Sequence, residues 1–226
     1  YMLLNYDGRL EDVFTLIHEA GHSMHAYFTR KTQPYVYGSH SIFTAEVAST
    51  VNEALLMRQL LAEAKTKEEK AYLLNLYLEE FRTTLFRQTM FAEFERATHA
   101  AVESGEVLTA GWLSETYAAL NTAYHGPAMT QDARIAMEWS RVPHFYNAFY
   151  VYKYATGYSA ATAISAAILE QGESAAKNYL AFLHSGESDY PIELLKMAGV
   201  DMSRPEPVRN ALDTFRWLLA ELEALM

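Results

Sequence analysis

Apolar residues recur with a helical spacing along almost the whole chain, and this pattern most restricts the folds open to it. The first such segment begins at Leu10 and continues to about Arg30. Short stretches that contain Gly or Pro separate the later segments and are typical of connections between helices. The pattern predicts helices at about 10–30, 44–64, 66–104, 109–124, 132–141, 148–170, 173–184, 190–198 and 206–225.

The predicted fold class is therefore mainly α, with a single helical domain over residues 1–226. No internal repeat and no linker rich in Gly, Ser or Pro marks a domain boundary. The one β element that we predict is a very small aromatic strand at Tyr1–Tyr6, before the turn at Asp7 and Gly8. Because this strand has no lead-in, we expect the sequence to be part of a longer chain.

Charge and composition exclude several kinds of partner. The formal net charge of −10 is spread over the sequence, which disfavours a nucleic acid or an anionic membrane surface as the main ligand. There is no apolar run of about eighteen residues and no basic region followed by an apolar stretch, so we expect no membrane span, no signal peptide and a cytoplasmic location. With no cysteine in the chain, any metal must be held by His, Asp or Glu.

The stretch LIHEAGHSMH, residues 16–25, carries the strongest chemical signal. His18 and His22 are four residues apart, so on a helix both rings project from one face and can bind the same ion. Glu19 flanks that face, in the position of the general base of His-Glu-x-x-His zinc hydrolases. The alternative is an amphipathic helix that is merely rich in histidine, and a third ligand from elsewhere in the chain would exclude it.

Two glutamates on the second predicted helix are candidates for the third ligand. Glu46 lies 24 residues after His22, and Glu53 lies two turns beyond Glu46 on the same face. Spacing alone does not choose between them. The glutamate that is not the ligand is well placed to accept a hydrogen bond from a ligand imidazole.

Gly21 lies inside the helix that carries both histidines, where glycine costs about 1 kcal/mol relative to alanine. Close approach of another backbone to the metal face would explain the glycine. Tight packing between two helices, without any functional role, is the alternative explanation.

The stretches HEAGHSMH and GSHSIFTAEVASTVNEALL together resemble the active-site region of the thimet oligopeptidase and oligoendopeptidase F group of zinc peptidases. The oligoendopeptidase F branch is the more similar of the two. The stretches RVPHFYNAFYVYKYATG and SGESDYPIELLKMAGVDMSRPEP extend the resemblance over essentially all 226 residues.

The resemblance implies a zincin-like catalytic domain that binds one zinc ion through His18, His22 and Glu46. It implies that Glu19 acts as general base on a zinc-activated water, and it leaves Glu53 to accept a hydrogen bond from a ligand imidazole. The implied substrates are short peptides. The resemblance also implies that the N-terminal half of the enzyme, which forms the opposite wall of the substrate channel, is missing from this chain. A zinc-binding fragment or helical scaffold without turnover is therefore the alternative function.

Further site residues are expected in an aromatic segment and a loop. Within residues 144–154, Tyr146, Tyr150 and Tyr154 are spaced to share one face of a helix and to offer hydrogen-bond donors. The resemblance places His144 and Tyr150 near the substrate as catalytic residues, and Tyr146 and Tyr154 as substrate-binding residues. It also suggests that Gly38 and His40, just before the third ligand, border the substrate backbone.

Overall fold

The computed structural model describes residues 2–226, and every regular element in this part of the chain is helical. The α-helices are α1 (Leu10–Thr32), α2 (Ile42–Glu63), α3 (Lys67–Glu80), α4 (Arg87–Glu103), α5 (Ala110–His125), α6 (Tyr152–Gln171), α7 (Glu173–Leu183), α8 (Pro191–Met197) and α9 (Glu206–Glu223). Short 3-10 helices cover Tyr35–Tyr37, Ala133–Arg141 and Pro143–Tyr146, and a π-helical segment covers Phe81–Phe86. The prediction of a mainly α fold is confirmed.

The chain forms two compact units. The first contains the residues up to Phe81 together with Thr156–Met226, and the second contains Arg82–Ala155. In the first unit α1 packs mainly against α2, and α2 in turn packs against α3 and α8. The core of this unit is an apolar cluster contributed by α2, α6, α7 and α8, and it includes Val47, Val51, Ile164, Phe182 and Leu195. Burying each of these side chains stabilises the fold by about 1.5 to 3 kcal/mol.

The second unit has its own core, formed by α4, α5 and the segment that leads into α6. Its buried apolar side chains are Met90, Phe91, Phe94, Tyr117, Val142 and Val151. The hydroxyl of Tyr117 donates a hydrogen bond of 2.6 Å to Glu138, and Arg87 and Arg141 pair with the same carboxylate. Because a buried carboxylate is costly unless it is paired, these contacts account for Glu138 in this interior.

Three local predictions differ from the structure. Residues 2–6 form no strand, and Tyr1 lies outside the described residues; a strand needs a hydrogen-bonded partner, and no other described segment supplies one. The helix predicted at 132–141 is a 3-10 helix. The helix predicted from residue 148 begins only at Tyr152, because a turn at 147–150 precedes it. None of the helices among residues 2–226 has the length and apolar character needed to cross a bilayer.

Candidate metal centre

The two histidines of the His-Glu-x-x-His stretch lie on the same face of α1. Their rings meet edge to face with centroids 4.8 Å apart, and the Nε2 atoms of His18 and His22 are 3.2 Å apart. Both side chains are about two thirds buried. The spacing of four residues therefore brings two nitrogen donors to one point, as the sequence predicts.

Glu46 reaches the same point from α2. Its Oε2 atom lies 3.4 Å from Nε2 of His18 and 3.5 Å from Nε2 of His22. Metal–ligand distances of about 2.0 to 2.1 Å in a tetrahedron place neighbouring ligand atoms about 3.3 Å apart, so this donor set fits zinc. Within residues 2–226, these three residues are the one group of His, Cys, Asp or Glu with such an arrangement.

Glu53, the other candidate ligand, lies on the opposite side of the His18 ring. Its Oε1 atom is 3.1 Å from Nδ1 of His18. A proton on Nδ1 that is donated to Glu53 leaves the Nε2 lone pair directed at Glu46 and His22. This arrangement orients a ligand imidazole and raises its basicity.

The carboxylates create an environment that favours positive charge at His18. Burial disfavours the charged imidazole, but hydrogen bonds with Glu46 and Glu53 outweigh burial and raise the pKa of His18 to about 10. Hydrogen bonds with His18 and His22 hold the pKa of Glu46 well below its usual range. A cation is the ligand that such a site attracts.

Two side chains of α2 that the sequence analysis did not assign support this geometry. The hydroxyl of Ser49 lies 3.1 Å from Oε2 of Glu46 and donates to it. The amide of Asn52 donates to the backbone carbonyl of Ile17 on α1, at 3.3 Å. Ser49 follows Glu46 by three residues and Asn52 follows Ser49 by three, and this i, i+3 spacing is the signal in the sequence that could have indicated them.

Glu19 borders the centre without taking part in the cluster. It lines an open groove of about 650 Å³ along α1 with His22, Ser23 and Tyr27. Among residues 2–226 its carboxylate has no ion-pair partner within 4.0 Å and no side-chain hydrogen bond. A carboxylate at the edge of the site with no competing partner can accept a proton.

Gly21 explains how α1 and α2 come close enough for their donor atoms to converge. A Cβ atom at Gly21 would lie 2.6 Å from both the carbonyl oxygen of Ala48 and the Cα atom of Ser49. Real Cβ atoms essentially never approach backbone this closely. The glycine therefore serves close helix packing, and that packing is the same contact that brings Glu46 to the two histidines.

We expect Gly21→Ala to destabilise the protein and weaken zinc binding. Overpacking a close contact costs about 1 to 3 kcal/mol, and relief of the clash moves Glu46 away from the histidines. Chemical denaturation and competitive zinc titration measure the two effects. Gly111→Ala is the matched control, because a Cβ at Gly111 in α5 would meet only the Thr109 hydroxyl, at 3.8 Å. Equal zinc affinity of Gly21→Ala and the unsubstituted protein would contradict the expectation.

The loop before α2 holds the predicted substrate-binding residues Gly38 and His40 against α1. Nε2 of His40 lies 2.8 Å from the hydroxyl of Thr29, which donates to the carbonyl of Leu183. The His40 ring also packs on His25, with centroids 3.7 Å apart. His25 is buried, and burial together with His40 and His22 lowers its pKa to about 3.

A second contact ties this loop to the segment after α7. Gly186 has a positive φ of 54°, and a Cβ there would lie 2.1 Å from the carbonyl oxygen of Tyr37. The backbone N–H of Glu187 donates to the same oxygen, and the Ser39 hydroxyl donates to the Glu187 carboxylate. The position of Gly38 and His40 is therefore fixed from two sides.

The remaining predicted residues belong to the second unit. The rings of His144 and Tyr150 are stacked with centroids 5.5 Å apart, and the Tyr154 hydroxyl lies 3.4 Å from Nε2 of His144. Tyr146 is almost fully exposed and ends a 3-10 helix. The prediction that the three tyrosines share one helical face is wrong, because Tyr150 lies in a turn and only Tyr154 lies in α6.

Comparison with known proteins extends these observations. The sequence profile of Peptidase family M3 matches residues 1–214. The chain is 52% identical over 226 residues to oligopeptidase PepF of Bacillus subtilis and 46% identical to the plasmid-encoded oligoendopeptidase F of Lactococcus lactis subsp. cremoris. These matches cover all of the chain and 34% and 38% of the two relatives, so the chain spans about a third of their length.

A solved structure gives the same result. The crystal structure of oligoendopeptidase F from Enterococcus faecium superposes with a TM-score of 0.86 at 48% identity. The match covers 96% of this chain and 39% of that chain. On the evidence of the family profile and of relatives matched along the whole sequence, the chain belongs to peptidase family M3.

Proposed function

We propose that the protein is a zinc-dependent endopeptidase that hydrolyses short oligopeptides. The observation that carries the proposal is the convergence of His18, His22 and Glu46, whose donor atoms lie 3.2 to 3.5 Å apart. Membership of peptidase family M3 supports peptide hydrolysis as the reaction class. The names of the relatives, oligopeptidase and oligoendopeptidase, support short peptides as the substrates.

Three residues hold the metal in this proposal, with one zinc ion per chain. When bound, zinc supplies Lewis acidity, which polarises the carbonyl of a peptide bond and makes water more acidic. His18, His22 and Glu46 would hold the ion through two nitrogens and one oxygen. Glu53 keeps His18 in the tautomer and orientation that ligation requires, through the contact at Nδ1.

Glu19 is the general base. Its carboxylate takes the proton of the attacking water and passes it to the amine that leaves when the peptide bond breaks. Its place in the groove beside His22, with no competing ion pair among the described residues, supports this role.

Residues of the aromatic segment and of the loop before α2 contact the peptide. We assign to His144 and Tyr150 the donation of hydrogen bonds to the carbonyl oxygen, where negative charge develops during hydrolysis. We assign peptide binding also to Tyr146, Tyr154, Gly38 and His40. The stacking of His144 on Tyr150 supports their acting together.

Metal removal tests the proposal. In the full-length protein, elemental analysis is expected to give one zinc per chain, and a quenched fluorescent peptide of about eight residues is expected to be cleaved. Chelation by 1,10-phenanthroline should abolish cleavage, and added zinc should restore it, because a catalytic zinc polarises the carbonyl and acidifies water.

Each outcome of this experiment is decisive. Cleavage that persists at the original rate after metal removal would overturn the zinc mechanism. One zinc per chain without cleavage of any peptide in a mixed library would instead support a zinc-binding protein that does not turn over. Absence of zinc after dialysis against zinc-containing buffer would overturn the metal site itself.

A further inference from the structure

A strained turn precedes α6, between two of the residues that we assign to the substrate. The N–H of Tyr150 donates to the carbonyl of Asn147 at 3.2 Å, which closes a four-residue turn with Phe149 in its third position. Phe149 has a φ of 57°, and it is the one non-glycine residue between 2 and 226 with positive φ. This position normally requires Gly or Asn, because a side chain is disfavoured in the left-handed region.

Two side chains of α4 hold Phe149 in this conformation. The N–H of Phe149 donates to Oε1 of Glu95 at 2.6 Å, and Glu95 is only 5% exposed. One turn further along α4, the ring of His99 packs on the ring of Phe149, with centroids 4.6 Å apart and planes inclined by 31°. Helix α4 therefore contacts both the backbone and the side chain of Phe149.

A carboxylate is an expensive group to bury for this purpose. A neutral side chain could accept one N–H, whereas an ionised carboxylate forms a shorter and stronger hydrogen bond. Strained backbone persists only where the surroundings determine it, and it is concentrated at functional sites. Glu95 thus has the strength and the location to maintain a conformation that the local sequence disfavours.

The turn determines how the side chains before it and after it are placed relative to each other. His144 lies in the 3-10 helix Pro143–Tyr146, which ends just before the turn, and Tyr150 follows Phe149 directly. Their rings stack with centroids 5.5 Å apart, and Tyr150 and Tyr154 meet edge to face at 5.6 Å. A change of φ at Phe149 would rotate Tyr150 away from His144.

We propose that Glu95 is a positioning residue of the hydrolytic reaction. By holding Phe149 in the left-handed conformation, Glu95 fixes Tyr150 and His144 in the arrangement that contacts the peptide carbonyl. This inference rests on the proposed function, since it takes both residues to act on the substrate. Glu95 itself touches neither substrate nor metal.

The test uses four variants of the full-length protein: Glu95→Ala, Glu95→Gln, Phe149→Gly and the Glu95→Ala/Phe149→Gly double variant. Glu95→Ala is expected to lower kcat by about tenfold to a hundredfold with little change in KM, because small displacements of catalytic groups cost rates of this size. Glu95→Gln retains an acceptor oxygen but forms a weaker hydrogen bond, so its kcat should lie between that of Glu95→Ala and that of the unsubstituted protein. Phe149→Gly should be nearly unchanged, and the double variant should regain most of kcat, because glycine adopts positive φ without help.

Controls separate positioning from loss of folding. Zinc content and the far-ultraviolet circular dichroism spectrum should match those of the unsubstituted protein in every variant. Glu103→Ala removes an exposed carboxylate from the same helix and should leave kcat unchanged. Glu95→Ala with full kcat, or a double variant no faster than Glu95→Ala, would overturn the inference.

A stability cycle keeps the inference testable if the unsubstituted protein cleaves no peptide, a result that would overturn the proposed function. The free energy of unfolding is measured for the unsubstituted protein, Glu95→Ala, Phe149→Gly and the double variant. These four values give the coupling free energy between positions 95 and 149. A non-zero coupling free energy supports the inference that Glu95 stabilises the left-handed conformation of Phe149. Strict additivity overturns it, whatever the protein does to peptides.

Discussion

Glu19→Gln is expected to lower kcat/KM for peptide cleavage by about 10² to 10⁴-fold, the usual contribution of a general base. Glutamine has the shape of glutamate but cannot accept the proton of the attacking water. Because Glu19 belongs to neither the ligand cluster nor its hydrogen bonds, zinc should stay at one per chain. Steady-state cleavage of a quenched fluorescent peptide, with elemental analysis of the same samples, measures both quantities.

Glu11→Gln is the matched control for this substitution. Glu11 is an exposed glutamate in the first turn of the same helix, remote from the histidines. It should leave both the rate and the zinc content unchanged. Should Glu19→Gln retain the full rate with zinc bound, another residue must take the proton and the role assigned to Glu19 is wrong.

Glu46→Ala is expected to lower zinc affinity far more than Glu53→Ala. Loss of a residue that, like Glu53, hydrogen-bonds to a ligand imidazole typically costs about ten- to hundredfold in metal affinity. Loss of Glu46 removes one of three protein ligands and leaves two histidines without a carboxylate, so its effect should exceed that range. Titration against a fluorescent zinc chelator measures both affinities, and peptide cleavage should disappear in Glu46→Ala.

Glu63→Ala provides the control on the same helix, since Glu63 is exposed at the end of α2 and its carboxylate contacts Gln59. Its zinc affinity should equal that of the unsubstituted protein. If Glu53→Ala lost zinc and Glu46→Ala retained it, the roles of ligand and of hydrogen-bond partner to His18 would have to be exchanged between the two glutamates. The metal site would then stand with Glu53 as its third ligand.

The histidine pair could be predicted from sequence because a spacing of four residues determines which side chains share a helical face. The choice between Glu46 and Glu53 could not. Both lie on the face of α2 toward α1, and the offset of the two helices along their axes decides which one meets Nε2 of His18. That offset depends on the contact of Gly21 with Ala48 and Ser49, which joins residues far apart in the chain.

The aromatic segment shows where local sequence patterns mislead. Tyrosines at 146, 150 and 154 have helical spacing, yet a turn interrupts the helix because a carboxylate 54 residues earlier stabilises an unfavourable φ. Helix propensity and periodicity depend only on residues that are close in sequence. They therefore cannot predict the effect of a partner that is distant in the chain. The pairing of His25 with His40 was missed for the same reason, since it depends on how the loop before α2 returns to α1.

The close contact at Gly21 gives the metal site an all-or-none character. If α2 slid along α1 by one turn, Ser49 or Thr50 would replace Glu46 opposite the histidines, and a hydroxyl would stand where the carboxylate now lies. No intermediate register offers a third strong ligand. Binding of an ion therefore requires the native packing of α1 against α2. A measurement of metal affinity consequently also measures how completely the first unit is folded.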